Sequence, residues 1–270
     1  MKRTTLPLSA LLTVVISSVA FAGPPDAKEM ATTTTLRQPD SGFYIGVYGG
    51  ANFAQDSGNG NTVASGPGFA GASNENVRGS GSISDGLGGV GGLKVGYNFK
   101  TIPIGGDFGI QPAVEVEGLY AGSSSTSNQS FGFAPAPVST TTKSNLDTGS
   151  ILVNGIVRLQ TGTIFTPYLG VGVGGEYLNE TDTRMSFTSD GLNYYNTSNR
   201  SADCLAFAVQ GLAGFDVKLT DHWSLFTEYK FLAAIDPSFH YGGLYDGSSA
   251  TYKPDYYGQH LINAGVKYNF

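Results

Sequence analysis

Ten ionisable residues at alternating positions in apolar segments are the side chains of this sequence that could do chemistry. They are five acids and five bases: Glu115, Glu117, Glu176, Asp216 and Glu228 with Lys94, Arg158, Lys218, Lys230 and Lys267. Neighbouring carboxylates could act as a catalytic pair, and a row of charges could form an ion path. Because the two signs are balanced, we favour a third interpretation, a charge-paired network in the interior, where ions are tolerated only when paired.

Two glycine-rich segments match the pattern G-x-G-x-x-G, which is typical of dinucleotide-binding loops. They span residues 86–91 and 170–175. A dinucleotide site needs this pattern between a strand and a helix, so that the helix N-terminus can face the phosphates. Both segments instead continue a strand-like alternation, and no helical pattern follows them. We therefore predict no cofactor, and we interpret these glycines as small residues that leave space for bulky neighbours.

The three histidines and the single cysteine do not form a metal-binding pattern. His222, His240 and His260 lack the short spacings of metal ligands. Cys204 has no second cysteine to pair with, which excludes an intramolecular disulfide. The sequence therefore predicts no metal site and no catalytic residues.

The element that positions the charged residues is an alternating strand, and it is clearest in the last twelve residues, Gln259–Phe270. One face of this strand holds His260, Ile262, Ala264, Val266, Tyr268 and Phe270. The other face is small and polar and includes Asn263 and Lys267, because strand side chains alternate with a period of two. One apolar and one polar face are what a strand needs between lipid and a polar barrel interior.

Seven further segments alternate in the same way, which gives eight predicted strands. They are residues 42–54, 87–99, about 108–121, 148–160, 165–179, 202–219, 222–235 and 259–270. Long polar segments at residues 55–85, 122–146, 180–200 and 236–257 alternate with short connections. The predicted fold class is all-β: an eight-stranded antiparallel up-and-down transmembrane β-barrel with long extracellular loops and short periplasmic turns.

The first 41 residues predict a secreted protein with a polar lead-in. Lys2 and Arg3 precede an uncharged run that ends in Ala20-Phe21-Ala22, the pattern of a signal peptide over residues 1–22. Residues 23–41 are rich in Pro and Thr and predict a flexible periplasmic segment, and residues 42–270 form the barrel. Cleavage after Ala22 leaves 13 basic and 21 acidic residues, a formal net charge of −8. This charge argues against nucleic acid as a partner.

Together these features resemble the outer-membrane-protein-A-like or opacity-type eight-stranded β-barrel family of Gram-negative bacteria. The resemblance rests on the signal peptide, the alternating strands and the ending Val266-Lys-Tyr-Asn-Phe270, and it includes residues 166–174 and 215–231. It implies a location in the bacterial outer membrane. The partners it implies are outer-membrane lipid and lipopolysaccharide, together with the barrel-assembly machinery, for which Tyr268 and Phe270 would form the assembly signal.

The resemblance leaves three classes of function open. The first, which we favour, is a non-enzymatic surface protein with an envelope or structural role, or with an adhesion or host-interaction role through its extracellular loops. The second is a small-solute porin with a narrow or gated pore. The third is an enzyme that modifies lipid A with a Ser–His pair on the outer wall, but His260 has Ile262 and not a serine as its same-face neighbour.

Aromatic residues in the last long loop are the candidates for recognition of a host or surface ligand. They are Phe239, Tyr241, Tyr245 and Tyr252. Aromatic side chains in flexible loops give large contact areas at a low entropic cost. They could equally belong to an aromatic belt at the membrane interface.

Overall fold

The computed structural model describes residues 41–56, 61–65, 77–131, 138–189, 192–196, 201–241 and 249–270, and within them the chain forms strands. The strands are β1 (Gly42–Asp56), β2 (Asn61–Ser65), β3 (Val77–Asp85), β4 (Leu87–Asn98), β5 (Ile102–Gly105), β6 (Phe108–Phe131), β7 (Val138–Gln160), β8 (Phe165–Ser189), β9 (Leu192–Asn196), β10 (Ala202–Lys218), β11 (Trp223–Ile235), β12 (Phe239–Tyr241), β13 (Ser249–Lys253) and β14 (Tyr256–Asn269). None of the described residues belongs to a helix long and apolar enough to span a membrane. The predicted signal peptide and nearly all of the lead-in lie outside the described residues.

Eight of the described strands close into a barrel. They are β1, β4, β6, β7, β8, β10, β11 and β14, each antiparallel to its two neighbours. The last strand pairs back onto the first, from Tyr44 opposite Asn269 to Asp56 opposite Tyr257. Closure leaves no free sheet edge in this ring, so its backbone groups can be paired without water. The predicted eight-stranded up-and-down barrel is confirmed.

The side chains of the barrel are sorted in the opposite way to those of a water-soluble protein. Large apolar residues cover the outer wall, where Val171 is 71% and Leu205 78% exposed. Charged residues such as Glu117 and Lys230 are fully buried inside. An apolar outer wall and a polar interior are stable where the surrounding solvent is lipid.

The two ends of the barrel differ, and we call them the turn end and the hairpin end. At the turn end, barrel strands are joined by the short connections 99–107, 161–164 and 219–222. Two of these connections use glycine at positive φ, 58° at Gly106 and 68° at Gly162, a conformation that favours glycine. At the hairpin end, β6, β7 and β8 are 24, 23 and 25 residues long. Since about 9–11 residues of a strand cross a bilayer, these strands extend well beyond it.

The four long segments predicted as loops contain strands, which corrects the predicted strand ends. Strands β2 and β3 lie within residues 55–85, β9 within 180–200, and β12 and β13 within 236–257. Strands β6 and β7 continue through much of residues 122–146. These segments are rich in Ser, Thr and Asn and show no apolar alternation. Their backbones can still extend a ladder whose register the barrel strands have already set, and β-branched Thr fits such a ladder well.

Candidate functional site: a charge network in the barrel interior

The ten predicted charged residues all lie inside the barrel, where each is at most 9% exposed. They come from β4, β6, β7, β8, β10, β11 and β14. Eight of them form what we call the charge network: Lys94, Glu115, Glu117, Arg158, Asp216, Glu228, Lys230 and Lys267. Their ion pairs make two groups, which are joined through the hydroxyl of Tyr44. Strand β1 adds two tyrosines that hydrogen-bond to it, Tyr44 and Tyr48.

The part of the charge network nearest the turn end is built on Asp216. Arg158 Nη1 donates to Asp216 Oδ2 at 2.5 Å, and Lys267 Nζ donates to the same oxygen. The second Arg158 nitrogen, Nη2, donates to the Tyr44 hydroxyl at 3.1 Å. The guanidinium carbon lies 5.1 Å from the Tyr44 ring centre and 5.0 Å from that of Tyr168. One carboxylate therefore pairs with two cations and joins three strands of the barrel.

The next part of the charge network is a chain of alternating signs across the barrel. Lys94 Nζ is 2.9 Å from Glu228 Oε2, and Glu228 Oε1 is 2.9 Å from Lys230 Nζ. Lys230 in turn donates to Glu117. The hydroxyl of Tyr168 donates to Glu228 at 2.9 Å. Each ion in this chain therefore has a partner of opposite charge, as buried ions require.

Two neutral amides complete the network, and they were not among the site residues predicted from the sequence. Asn154 Nδ2 donates to Glu115 Oε1 at 3.1 Å and to Glu117 Oε2 at 3.0 Å. Gln210 Nε2 donates to the same Glu117 oxygen at 2.9 Å. Glu115 Oε2 also lies 3.8 Å from Lys94 Nζ and accepts from the Tyr44 hydroxyl at 2.9 Å. Because Tyr44 in turn accepts from Arg158, its hydroxyl connects the two parts of the network. The only sequence signal for these amides was their inward position on strands that carry charges.

The amide of Asn154 provides a test of this packing. We expect Asn154→Ala to lower the free energy of unfolding by about 2 kcal/mol, because two buried carboxylates each lose a hydrogen-bond donor. The measurement is urea-induced unfolding of the barrel in detergent micelles. Lys143→Ala is the control, since Lys143 is exposed on the same strand and its loss should cost less than about 0.5 kcal/mol. An equal shift for both variants would contradict the assignment.

The arrangement of the charge network suits a structural role. It holds four acids and four bases, so its formal charges cancel, and its carboxylates are engaged by cations, tyrosines and amides. An acid–base catalyst needs a carboxylate that can reach a substrate proton. Within the described residues, no group of three or more His, Cys, Asp and Glu side chains could hold a metal ion.

Glycines on neighbouring strands make room for the aromatic rings of the interior. Four glycines have an aromatic ring where a Cβ atom would otherwise lie. A Cβ on Gly96 would be 2.3 Å from the ring of Tyr44, and a Cβ on Gly92 would be 2.4 Å from the ring of Tyr48. The corresponding distances are 2.8 Å between Gly214 and Tyr168 and 2.5 Å between Gly265 and Phe226. Within the second glycine motif, a Cβ on Gly172 would lie 2.0 Å from Asn154 Oδ1. These contacts agree with the interpretation of the glycines as space for bulky neighbours.

Two apolar layers lie between the charge network and the hairpin end. The first layer consists of Leu119, Leu152, Ala208, Leu232 and Leu261, and the second of Leu146, Leu178, Ala234, Phe239 and Tyr257. Along β14, for example, the inward residues run from Asn263 through Leu261 and Gln259 to Tyr257. The layers follow the same order on β7, where the inward residues run from Leu152 through Ser150 and Thr148 to Leu146. In the described part of the interior, the polar centre is thus separated from the hairpin end.

The remaining two of the ten predicted residues lie above and below the charge network. Glu176 lies between the two apolar layers, where Gln259 Nε2 donates to its Oε1 atom. Lys218 is one inward position below Asp216 on β10, at the turn end. Both residues are buried. Their height in the barrel depends on the register of neighbouring strands, which alternation alone does not give.

The predicted assembly-signal residues lie at the turn end of the closing strand. Tyr268 packs edge-on against Trp223 and Phe270, with ring centres 5.0 Å apart in both pairs. The backbone nitrogen of Phe270 donates to Phe43 O at 3.0 Å. This aromatic group lies on the outer wall, where aromatic belts meet the membrane interface.

The predicted loop-recognition residues have different placements. Phe239 is 4% exposed and belongs to the second apolar layer, so its ring is packed inside the barrel. Tyr241 and Tyr252 lie on β12 and β13, where Tyr252 pairs with Phe239. Tyr245 lies outside the described residues.

His260 has a tyrosine as its partner on the outer wall. Its Nδ1 atom is 2.6 Å from the Tyr229 hydroxyl, and its ring stacks on that of Tyr229 with centres 6.0 Å apart. Phe231 is directly opposite His260 in the ladder, and its ring centre is 5.0 Å from that of His260. His260 Nδ1 therefore contacts a tyrosine hydroxyl, where the Ser–His pair of an enzyme would have the hydroxyl of a nucleophilic serine.

A closed barrel with an apolar outer wall and a charge-paired interior defines a transmembrane β-barrel protein. The chain belongs to the outer-membrane β-barrel family, since the family model described as the outer membrane protein beta-barrel domain matches residues 8–270. It is therefore a protein of the bacterial outer membrane. No curated protein sequence matches the chain at a significant level.

Solved structures of similar fold are outer-membrane proteins of low sequence identity. Neisserial surface protein A is 14% identical, with 86% of this chain and 100% of that chain covered and a TM-score of 0.43. OprG of Pseudomonas aeruginosa is 15% identical, with coverage of 86% and 98% and a TM-score of 0.39. Ail of Yersinia pestis is 12% identical, with coverage of 86% and 99% and a TM-score of 0.30.

Proposed function

We propose that this protein is a non-enzymatic surface protein whose barrel is an anchor and whose hairpin end, on the extracellular side, is the functional part. In this proposal the hairpin end has an adhesion or host-interaction role, and the barrel adds to the envelope as a rigid element. The observation that carries the proposal is the filled interior, in which the charge network and two apolar layers occupy the cross-section. Eight strands enclose only enough space for side chains to fill.

The length and composition of the hairpins also support a role outside the membrane. The outer face of the β6–β7 hairpin beyond the membrane carries Ser124, Asn128, Lys143 and Asn145, which are all exposed. A hydrogen bond from Thr141 Oγ1 to Asn128 Oδ1 at 2.9 Å crosses this hairpin. A membrane anchor alone has no need of strands more than 20 residues long. A polar, paired and raised surface of this kind is suited to contact with a hydrophilic partner.

The β6–β7 hairpin offers a direct test of this role. Replacing residues 124–145 by Asn-Gly joins Ser123 to Leu146, which are directly opposite each other in the ladder. Asn-Gly favours the two-residue turn that such a connection needs. We expect the variant to fold into a heat-modifiable barrel. We also expect at least tenfold weaker adherence of a non-adherent laboratory strain that expresses it to cultured epithelial cells, relative to the intact protein.

A matched control deletes residues 27–40, which shortens the chain at the predicted periplasmic lead-in and leaves the hairpins intact. This variant should adhere as the intact protein does. Adherence that is unchanged in the hairpin variant, at equal surface expression, would contradict a role of this hairpin in recognition.

We propose that the protein has no enzyme activity, and substitution of His260 tests this. Because His260 Nδ1 contacts the Tyr229 hydroxyl and lies on the lipid-facing wall, we assign it to the aromatic belt. We expect the lipid A of cells that express the protein to have the same mass spectrum with and without His260→Ala. A modified lipid A species that disappears in this variant would contradict the assignment.

The partners we propose are those of a surface barrel. Outer-membrane lipid and lipopolysaccharide would contact the outer wall, and the barrel-assembly machinery would bind the aromatic end of β14 during insertion. A host or surface ligand would bind the hairpin end. The formal net charge of −6 for the whole chain argues against nucleic acid as that ligand.

A further inference from the structure

The polar layer between the two apolar layers contains a buried carboxylate without a counter-ion among the described residues. Glu176 is fully buried, and its Oε2 atom has no hydrogen-bond partner. The first apolar layer separates it from Lys94 and Lys230 of the charge network. An ionised carboxylate buried without a cation is strongly destabilising, so a buried carboxylate either binds a cation or carries a proton.

The groups around Glu176 are neutral oxygen donors. Ser150 is directly opposite Glu176 in the β7–β8 ladder, is buried, and has no hydrogen-bond partner for its Oγ atom. Directly opposite inward residues have Cβ atoms about 5 Å apart. Thr148, the next inward residue on β7, is buried, and Gln259 Nε2, which donates to Glu176, also lies 3.3 Å from its Oγ1 atom. Its Oγ1 atom is 3.5 Å from Oε1 of Gln259 on the other side of the barrel.

We propose that this layer is a binding site for a single monovalent cation of the size of Na⁺. The ligands would be the Glu176 carboxylate, the hydroxyls of Thr148 and Ser150, and the amide oxygen of Gln259. This inference does not depend on the proposed surface function.

The size of the cation follows from the donor spacing. When the Gln259 amide is rotated so that Oε1 takes the place of Nε2, this oxygen is 3.3 Å from Thr148 Oγ1. Two oxygens at this spacing that subtend a right angle at an ion are each about 2.3 Å from it, within the range of about 2.3–2.6 Å for Ca²⁺–oxygen contacts. Na⁺ has nearly the same ionic radius as Ca²⁺, whereas K⁺ is larger and Mg²⁺ requires shorter contacts.

The charge of the cation follows from the donor set. Glu176 is the one acidic side chain among the donors, so a monovalent ion cancels the charge of the site. A divalent ion would leave a positive charge buried between two apolar layers.

Binding of the cation requires one change in the layer. Gln259 Nε2 now donates to Glu176 Oε1, and a half-turn of its amide would present Oε1 in that position. The amide carries one donor group and one acceptor group of similar size, so this rotation needs no movement of the backbone. The apolar layers on both sides exclude water and so favour ion–oxygen contacts over hydration.

The test is the dependence of barrel stability on Na⁺ at constant ionic strength. The mature protein, folded in a non-ionic detergent, is unfolded with urea in mixtures of NaCl and choline chloride of constant total concentration. Since one ion would be released on unfolding, we expect the unfolding equilibrium constant to fall nearly tenfold for each tenfold rise in Na⁺ above its dissociation constant. KCl in place of NaCl should give a smaller effect.

Two variants locate the ion. Glu176→Gln keeps the shape of the side chain and removes its charge, and we expect it to fold and to lose the Na⁺ dependence. Ser224→Ala is the matched control, because Ser224 is equally buried but lies at the turn end, and it should keep the dependence of the wild type. A wild-type barrel that is equally stable in both salts would overturn the proposal. A Na⁺ dependence that persists in Glu176→Gln would overturn it as well.

Discussion

Asp216→Ala should be among the most damaging single substitutions in this barrel. Asp216 is the shared acceptor of Arg158 and Lys267, and all three side chains are at most 2% exposed. Removing the carboxylate leaves two cations without their acidic partner in a medium that cannot solvate them. Loss of one partner from a buried ion pair costs about 3–5 kcal/mol, and here the loss affects two cations. We therefore expect the free energy of unfolding in urea to fall by at least about 3 kcal/mol, or refolding to fail.

A second substitution separates the charge effect from the loss of packing. The double variant Asp216→Ala with Lys267→Met removes one of the two unbalanced cations and should recover part of the lost stability. Lys143→Ala, at an exposed position of β7, should change the urea midpoint little. Unfolding curves of Asp216→Ala and the wild type that superimpose would contradict the central role of this carboxylate.

Gly96→Ala should be nearly as damaging, although it adds a single methyl group. A Cβ at this position would lie 2.3 Å from Cζ and 2.4 Å from Oη of Tyr44. Tyr44 cannot move away freely, because its hydroxyl donates to Glu115 and accepts from Arg158. Overpacking costs about 1–3 kcal/mol, and each broken hydrogen bond to a charged group about 1.5–3 kcal/mol. We expect a loss of about 3 kcal/mol in urea unfolding.

Gly155→Ala is the matched control for this substitution. Gly155 also lies on a barrel strand, but it faces outward and no atom lies within 4 Å of its added Cβ. Its replacement should leave the stability unchanged or raise it slightly, since glycine within a strand is destabilising relative to alanine. Similar losses for Gly96→Ala and Gly155→Ala would show that strand propensity, and not the contact with Tyr44, sets the effect.

The barrel itself could be predicted from the sequence because lipid and lumen impose opposite demands on alternate residues. That contrast identified the eight strands, including Gln259–Phe270, and placed residues such as Lys267 and Glu228 on the inner face. The short connections could be predicted for a related reason, since glycine at a tight turn such as Gly162 is a local signal. These features depend on neighbours in the sequence.

The hairpin end could not be predicted in the same way. Residues 122–131 and 138–147 continue β6 and β7 although they are rich in Ser, Thr and Asn. Beyond the membrane the outer face of a strand meets water and not lipid. It therefore needs no apolar residues, and the strand leaves no regular apolar alternation in the sequence.

The layers of the barrel interior could not be predicted from the sequence either. The alternation of apolar and polar residues predicts that Leu119, Leu152 and Leu261 face inward. Whether these side chains pack in one layer depends on the register of β6, β7 and β14. The same register separates Glu176 from the charge network and brings Asn154 between Glu115 and Glu117. Such contacts join residues far apart in the chain, and a single sequence contains no direct signal for them.

The measurement that tests the central claim most directly is the electrical conductance of the folded, purified barrel in planar lipid bilayers. With a charge network and two apolar layers across its interior, the wild-type protein should give no discrete channel openings under conditions in which a general porin does. Reproducible openings of uniform conductance from the folded wild-type protein would contradict the filled interior, and they would favour the small-solute porin over the surface anchor.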